Sequence, residues 1–183
     1  YYVAGNNHAD IAVCKLQTHT VRLPKFDTIA PDSRAVTAGD RLVYLGAGCT
    51  TVIGTGSDRK VRIGQSTVVS APTRSQSSKF IIDNGTPSTS LLCPGDSGGP
   101  TFVITGADTS NRIIVAANSR IRFDNNNGVP GFQKNSSDRL TGPSLFAAAY
   151  TENARQFLTT WTMRNSATMC GINLFDPSRC NGM

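Results

Sequence analysis

Ser97 stands among glycines and one acid in Cys93-Pro94-Gly95-Asp96-Ser97-Gly98-Gly99-Pro100, just ahead of the apolar stretch Thr101-Phe102-Val103-Ile104. A hydroxyl in a tight loop before a strand can be presented to a substrate carbonyl, and neighbouring glycines let the backbone come close. The amides around such a serine can converge on a developing oxyanion. The chemistry implied is nucleophilic attack with an acyl intermediate, which needs a base to take the hydroxyl proton and an acid to orient that base. Gly-x-Ser-x-Gly patterns also occur in ordinary turns, but the run Gly-Asp-Ser-Gly-Gly-Pro is too long for that reading.

Gly95-Asp96-Ser97-Gly98-Gly99-Pro100 resembles the active-site serine signature of the chymotrypsin/trypsin family of serine proteases. Asp10-Ile11-Ala12-Val13 resembles that family's second landmark, an aspartate directly before Ile-Ala and a hydrophobic residue. The resemblance implies a role for each matching residue. Ser97 is the nucleophile, the amides of Gly95 and Ser97 form the oxyanion hole, and Asp10 orients the catalytic imidazole. Asp96 accepts the N-terminal ammonium released by zymogen cleavage; Tyr1 does not begin the Ile/Val start that supplies it, which places that partner on another chain. Ser119 supports the aspartate from a strand that pairs with the substrate backbone. Leu91 takes the floor of the primary substrate pocket, Ile121 narrows it and Gly142 forms its other wall. An apolar floor implies selection of an apolar or small side chain rather than Lys or Arg.

The base is the missing member. In this family the histidine precedes the aspartate by a long stretch of chain, whereas the two histidines here are His8 and His19. His19 lies in the polar run Gln17-Thr18-His19-Thr20 and reads as a surface residue. His8 is two positions from Asp10 and is the alternative, relocated base. The economical expectation is a two-chain enzyme. This chain is the larger product of a cleaved precursor, and an associated N-terminal chain carries the histidine and fills the first barrel. A catalytically inactive homologue acting as a binding or regulatory module is the alternative function.

The elements that must position these residues read as strands. Asp10-Ile11-Ala12-Val13-Cys14-Lys15-Leu16 alternates as one. Leu42-Val43-Tyr44-Leu45 follows a turn at Ala38-Gly39-Asp40, and residues 59–70 are alternating and β-branched. Lys79-Phe80-Ile81-Ile82, Thr101-Phe102-Val103-Ile104 and residues 112–119 complete the set. Phe157, Leu158 and Trp161 recur at helical spacing and predict a helix buried by that face. The fold class expected is all-β, and the resemblance implies a chymotrypsin-like antiparallel double β-barrel. The chain holds the last part of the first barrel, the complete second barrel and a C-terminal helix. The expected divisions are a remnant strand over residues 1–17, a linker without regular structure over 18–38, the second barrel over 39–149, the helix over 150–163 and a tail over 164–183.

The 183 residues include enough apolar side chains, at 38%, for one substantial core. The net charge of +6 is spread along the chain without a dense basic block or interleaved aromatics, which argues for a basic surface and against a nucleic-acid partner. No apolar run is long enough to span a bilayer, and Tyr1-Tyr2-Val3 reads as mature sequence without a leader. Of the five cysteines, Cys170 and Cys180 bracket a Gly/Asn/Pro-rich tail that a local bridge would close, implying an oxidising, secreted setting. The family resemblance adds a Cys49–Cys93 bridge, from Gly46-Ala47-Gly48-Cys49-Thr50 paired with Cys93-Pro94-Gly95-Asp96-Ser97. Cys14 is expected as a buried free thiol, with a bridge to the absent chain as runner-up. Asn84-Gly85-Thr86 and Asn135-Ser136-Ser137 are acceptor triplets for glycosylation. Protein or peptide substrates are expected; no cofactor or metal is.

Overall fold

A computed structural model describes residues 10–15, 26–31, 36–51, 55–76, 80–85, 90–104, 112–124, 130–131, 139–140 and 142–180. His8, His19, Thr86 and Asn135-Ser136-Ser137 lie outside them.

The alternating apolar runs become strands of one sheet that closes on itself. These are β1 (Thr28–Ile29), β2 (Arg41–Gly46), β3 (Arg62–Ser70), β4 (Phe80–Asp83), β5 (Pro100–Ile104) and β6 (Arg112–Arg120). Beyond them come β7 (Phe123–Asp124), β8 (Pro130–Gly131), β9 (Arg139–Leu140), β10 (Leu145–Ala148), α1 (Glu152–Arg164) and α2 (Pro177–Cys180). The sheet runs β6-β10-β4-β3-β2-β5, and β5 pairs back onto β6, giving a closed six-stranded antiparallel barrel. Closure gives every strand of the barrel a neighbour on both sides, and the start of β6, which runs past β10, keeps an edge to offer. β7, β8 and β9 form a separate small sheet.

The two-residue period of the strands decides what fills the barrel. Leu42 and Tyr44 of β2, Val68 of β3, Ile81 of β4, Val103 of β5, Val115 of β6 and Phe146 of β10 are buried together in one cluster. Each large apolar side chain fully withdrawn from water contributes about 2 kcal/mol, so the barrel is its own source of stability. Gly64 is required by this packing. A side chain there would collide with the Tyr44 ring, at 2.2 Å from its edge.

Four expectations are corrected. The linker is not devoid of structure: β1 pairs in parallel with β6, Thr28 opposite Ile113, and Ala30 is fully buried beside it. Pro31 then ends the element. Residues 10–15 form no strand, because no strand among the described residues offers them an edge. Cys14 is accordingly exposed and free rather than buried. The helix is found, but its buried stripe is Ala154, Leu158 and Thr162 with Arg155; Phe157 and Trp161 flank it, half-buried. The helix's first amide, on Glu152, is satisfied by the Arg74 carbonyl at 2.9 Å.

Both expected disulfides are present, Cys49–Cys93 and Cys170–Cys180. The tail closed by the second is a strap. Ile29 donates to the Cys170 carbonyl at 3.0 Å and Phe26 to the Cys180 carbonyl at 2.9 Å. Buried Arg155 donates from Nη1 to the carbonyls of Gly171 and Ala30, at 2.6 and 3.1 Å, joining helix, tail and β1. No described helix is long and apolar enough to cross a membrane.

Candidate active site

The loop that carries Ser97 is held by its neighbours on three sides. Asp96 turns inward: Oδ1 accepts from the Gly48 amide at 2.7 Å and Oδ2 from the Cys93 amide at 2.8 Å. That seat explains Gly46 and Gly48, where an added Cβ would fall 1.9 and 2.7 Å from the Asp96 carboxylate. Asp96 also closes the loop, through Asp96 N to Cys93 O at 2.9 Å and Gly99 N to Asp96 O at 3.1 Å. The Cys49–Cys93 bridge ties the loop covalently to the segment after β2.

Asn118 of β6 is the organiser that the sequence reading missed. It is buried. Its Oδ1 accepts from Thr101 Oγ1 at 2.7 Å, while Nδ2 donates to the Leu45 and Asp96 carbonyls at 2.8 and 3.1 Å. Its backbone completes the clamp: Gly98 N donates to Asn118 O and Asn118 N to Gly99 O. An amide side chain suits this place because it donates and accepts at once without carrying charge. The available signal was a lone Asn in the otherwise apolar run Ile113-Ile114-Val115-Ala116-Ala117.

With the loop so fixed, Ser97 is exposed and Gly95 takes φ +100°, a left-handed backbone natural to glycine. Among the described residues neither the Gly95 nor the Ser97 amide has a hydrogen-bond acceptor. One residue beyond Asn118, Ser119 donates from Oγ to Asp10 Oδ2 at 2.5 Å. Asp10, otherwise exposed, is thus drawn to the end of β6 that grips the Ser97 loop. Serine loop, Ser119 and Asp10 converge through one strand, although their sequence positions are far apart.

A cavity of about 480 Å³ lies behind the loop, and Leu91, Gly142, Gly46, Gly48 and Asp96 are in its wall. Leu91 and Gly142 are therefore together. Ile121 is elsewhere, packed against the apolar core, and Ser119 is not in this wall. Two ionisable groups near this wall are buried, Tyr44, which lines the cavity, and Asp83, two residues before the lining Gly85. Burial pushes the Asp83 carboxyl up to about 6, against the downward pull of the Ser144 amide. Burial, reinforced by the charge of Asp83, raises the Tyr44 phenol. Among the described residues no cluster of three His, Cys, Asp or Glu side chains could hold a metal ion.

The shape of the chain is similar to that of a mutant of human heparin binding protein, at 16% identity and a TM-score of 0.49, covering 82% of this chain and 54% of that one. The chain thus spans just over half the length of that protein. A search of curated proteins finds no match. The family model described as Trypsin matches residues 1–140. That match takes in both Asp10 and the Ser97 loop, and the chain belongs to the trypsin family.

Proposed function

We propose that this chain carries the nucleophile, oxyanion hole and aspartate of a chymotrypsin-like serine endopeptidase. The observation that carries the reading is the Ser119 Oγ to Asp10 Oδ2 hydrogen bond at 2.5 Å. It sets a carboxylate beside the strand that grips the serine loop. Ser97 Oγ attacks the scissile carbonyl as an imidazole takes its proton. The Gly95 and Ser97 amides receive the oxyanion, and the imidazole returns the proton to the leaving amine. Water then hydrolyses the acyl-enzyme by the same route. Asp10 holds the imidazole in the right tautomer and stabilises its cation.

The base is a histidine of an associated N-terminal chain. Support comes from the exposure of Asp10 and from residues 10–15, which no described strand pairs. The Asp96 carboxylate in the cavity wall suits an ammonium end released by zymogen cleavage. Leu91 and Gly142 favour an apolar or small substrate side chain. Two disulfides support secretion.

The test is covalent labelling with a sulfonyl fluoride or an organophosphonate, read by intact mass on the purified material. Stoichiometric labelling that Ser97→Ala abolishes, in a sample that contains a second, histidine-bearing chain, is the expected result. Fast labelling without a second chain would remove the two-chain part. A second chain without labelling would leave a binding module.

A further inference from the structure

Three of the segments that wall the cavity lie between strands. Gly85 follows β4, Ser90 and Leu91 precede the Ser97 loop, and Gly142 precedes β10. Their hydrogen bonds lead to one buried side chain. Asp83 is 1% exposed. Its Oδ1 accepts from the Ser144 amide at 2.7 Å, and its own amide donates to the Ser144 carbonyl at 3.3 Å. Ser144 Oγ in turn accepts from the Leu92 amide at 3.0 Å. Leu92 adjoins Leu91 in the floor, and Gly142 is two residues before Ser144. Gly85, two residues after Asp83, lies so close to Gly142 that an added Cβ would fall 2.0 Å from the Gly142 carbonyl oxygen. Tyr44 OH, donating to the Ser90 carbonyl, is the second anchor of the floor.

The choice of residue at this node is costly. Among the described residues Asp83 Oδ2 makes no hydrogen bond of good geometry, although Ser66 and the Gly85 amide face the carboxyl, and a buried carboxylate so placed opposes folding. Stability alone favours an amide or an apolar side chain here. A residue held against stability marks a place where geometry matters for something else.

We propose that Asp83 is a positioning residue for the substrate pocket, setting wall against floor through Ser144 and Leu92. The proposal deepens the protease reading and takes from it only the use of this cavity wall. Asp83 touches no substrate. It acts by fixing where the Ser144 hydroxyl meets the Leu92 amide.

The experiment uses the protein as purified, with Asp83→Ala, Asp83→Asn and Ser144→Ala. Asn keeps an acceptor for the Ser144 amide; Ala removes it. Two reagents report on Ser97. Diisopropyl fluorophosphate needs little of the pocket, whereas a peptidyl diphenyl phosphonate with a leucine side chain must fill it. The ratio of the two labelling rates is expected to fall roughly tenfold in Asp83→Ala and Ser144→Ala and to be restored in Asp83→Asn. Hydrogen exchange at the Leu92 amide is read on the same variants and needs no catalysis. It is expected to speed up roughly tenfold in both alanine variants and not in Asp83→Asn. Wild-type protein that fails to label although the histidine-bearing chain accompanies it overturns the protease reading, and the Leu92 exchange rate, which needs no second chain, then still decides whether Asp83 holds the floor. Unchanged Leu92 exchange in folded Asp83→Ala overturns the proposal, as does an equal fall with both reagents, which marks a general loss of structure.

Discussion

The Ser119 hydroxyl donates to Asp10 Oδ2 at 2.5 Å, joining the far end of β6 to a segment that makes no strand of its own. A single side-chain bond therefore fixes the aspartate that orients the base in the proposed mechanism. Replacing Ser119 with Ala is expected to lower kcat/KM by about tenfold, the effect of losing one hydrogen bond to a charged group. The melting temperature should stay within about 3 °C of wild type, since Ser119 is not part of the core. A matched loss of stability and activity would show that Ser119 supports the barrel instead.

Asn118 is a different case, because its side chain makes three hydrogen bonds while buried. Asn118→Ala leaves the Thr101 hydroxyl and two carbonyls without their partner, and a cost of about 3 kcal/mol is expected in denaturant unfolding. Asn118→Asp should be at least as harmful, because it brings a carboxylate to the Leu45 and Asp96 carbonyls. A loss below about 1 kcal/mol in Asn118→Ala would mean that the loop holds its shape without this clamp.

Asp83 gives the chain a pH dependence of unusual sign for an acid. Burial pushes its folded carboxyl up to about 6, above the usual carboxylate range, so the native state holds the proton more tightly than the unfolded chain. Stability from this group is full below about pH 4 and is lost as pH rises through about 6. The group facing it from β2 is Tyr44, neutral throughout this range, while β3 presents Ser66 and the segment before β10 presents Ser144. Urea unfolding at pH 8 should find Asp83→Asn more stable than wild type by about 1–3 kcal/mol, and at pH 4 the gap should close. Equal stability at pH 8 would show that the native protein tolerates the charge freely.

The Cys49–Cys93 bridge closes a sequence separation of 44 residues and fastens the serine loop to the end of β2. Replacing both cysteines with Ser is expected to cost about 2–4 kcal/mol through a less restricted unfolded chain. Hydrogen exchange should accelerate first at residues 93–96, ahead of the barrel strands. Uniform acceleration would show that the bridge acts only through the unfolded chain and does not itself hold the serine loop.

Much of this was legible before any coordinates, for reasons that differ by residue. The serine run names its family because a nucleophile loop needs particular residues in a fixed order. Strand β3 showed itself by period-two alternation and β2, β5 and β6 as short apolar runs bounded by turns, while the bond of Cys49 to Cys93 was implied by the resemblance of the segments around both cysteines to the family's pattern. Three features were hidden. β10 is built on Leu145-Phe146-Ala147-Ala148, and alanines carry no strand signal; small size at a crowded closing strand is what selects them. β1 is two residues long and exists only because β6 offers an edge to it. Asn118 and Asp83 look like ordinary polar residues in sequence, and their importance arises from burial, which no local pattern announces. The strand read at residues 10–16 is absent over 10–15, its described part, for the complementary reason: alternation needs a neighbouring edge before it becomes a sheet.

The strap at residues 170–180 reaches beyond its own disulfide. By accepting hydrogen bonds from Ile29 and Phe26, it makes the geometry of the connector depend on residues at the opposite end of the sequence. The course of residues 26–29 is thus set by chain made after every strand of the barrel. Cotranslational folding can complete the barrel strands early, but the connector takes its final course only once Cys170 and Cys180 have met.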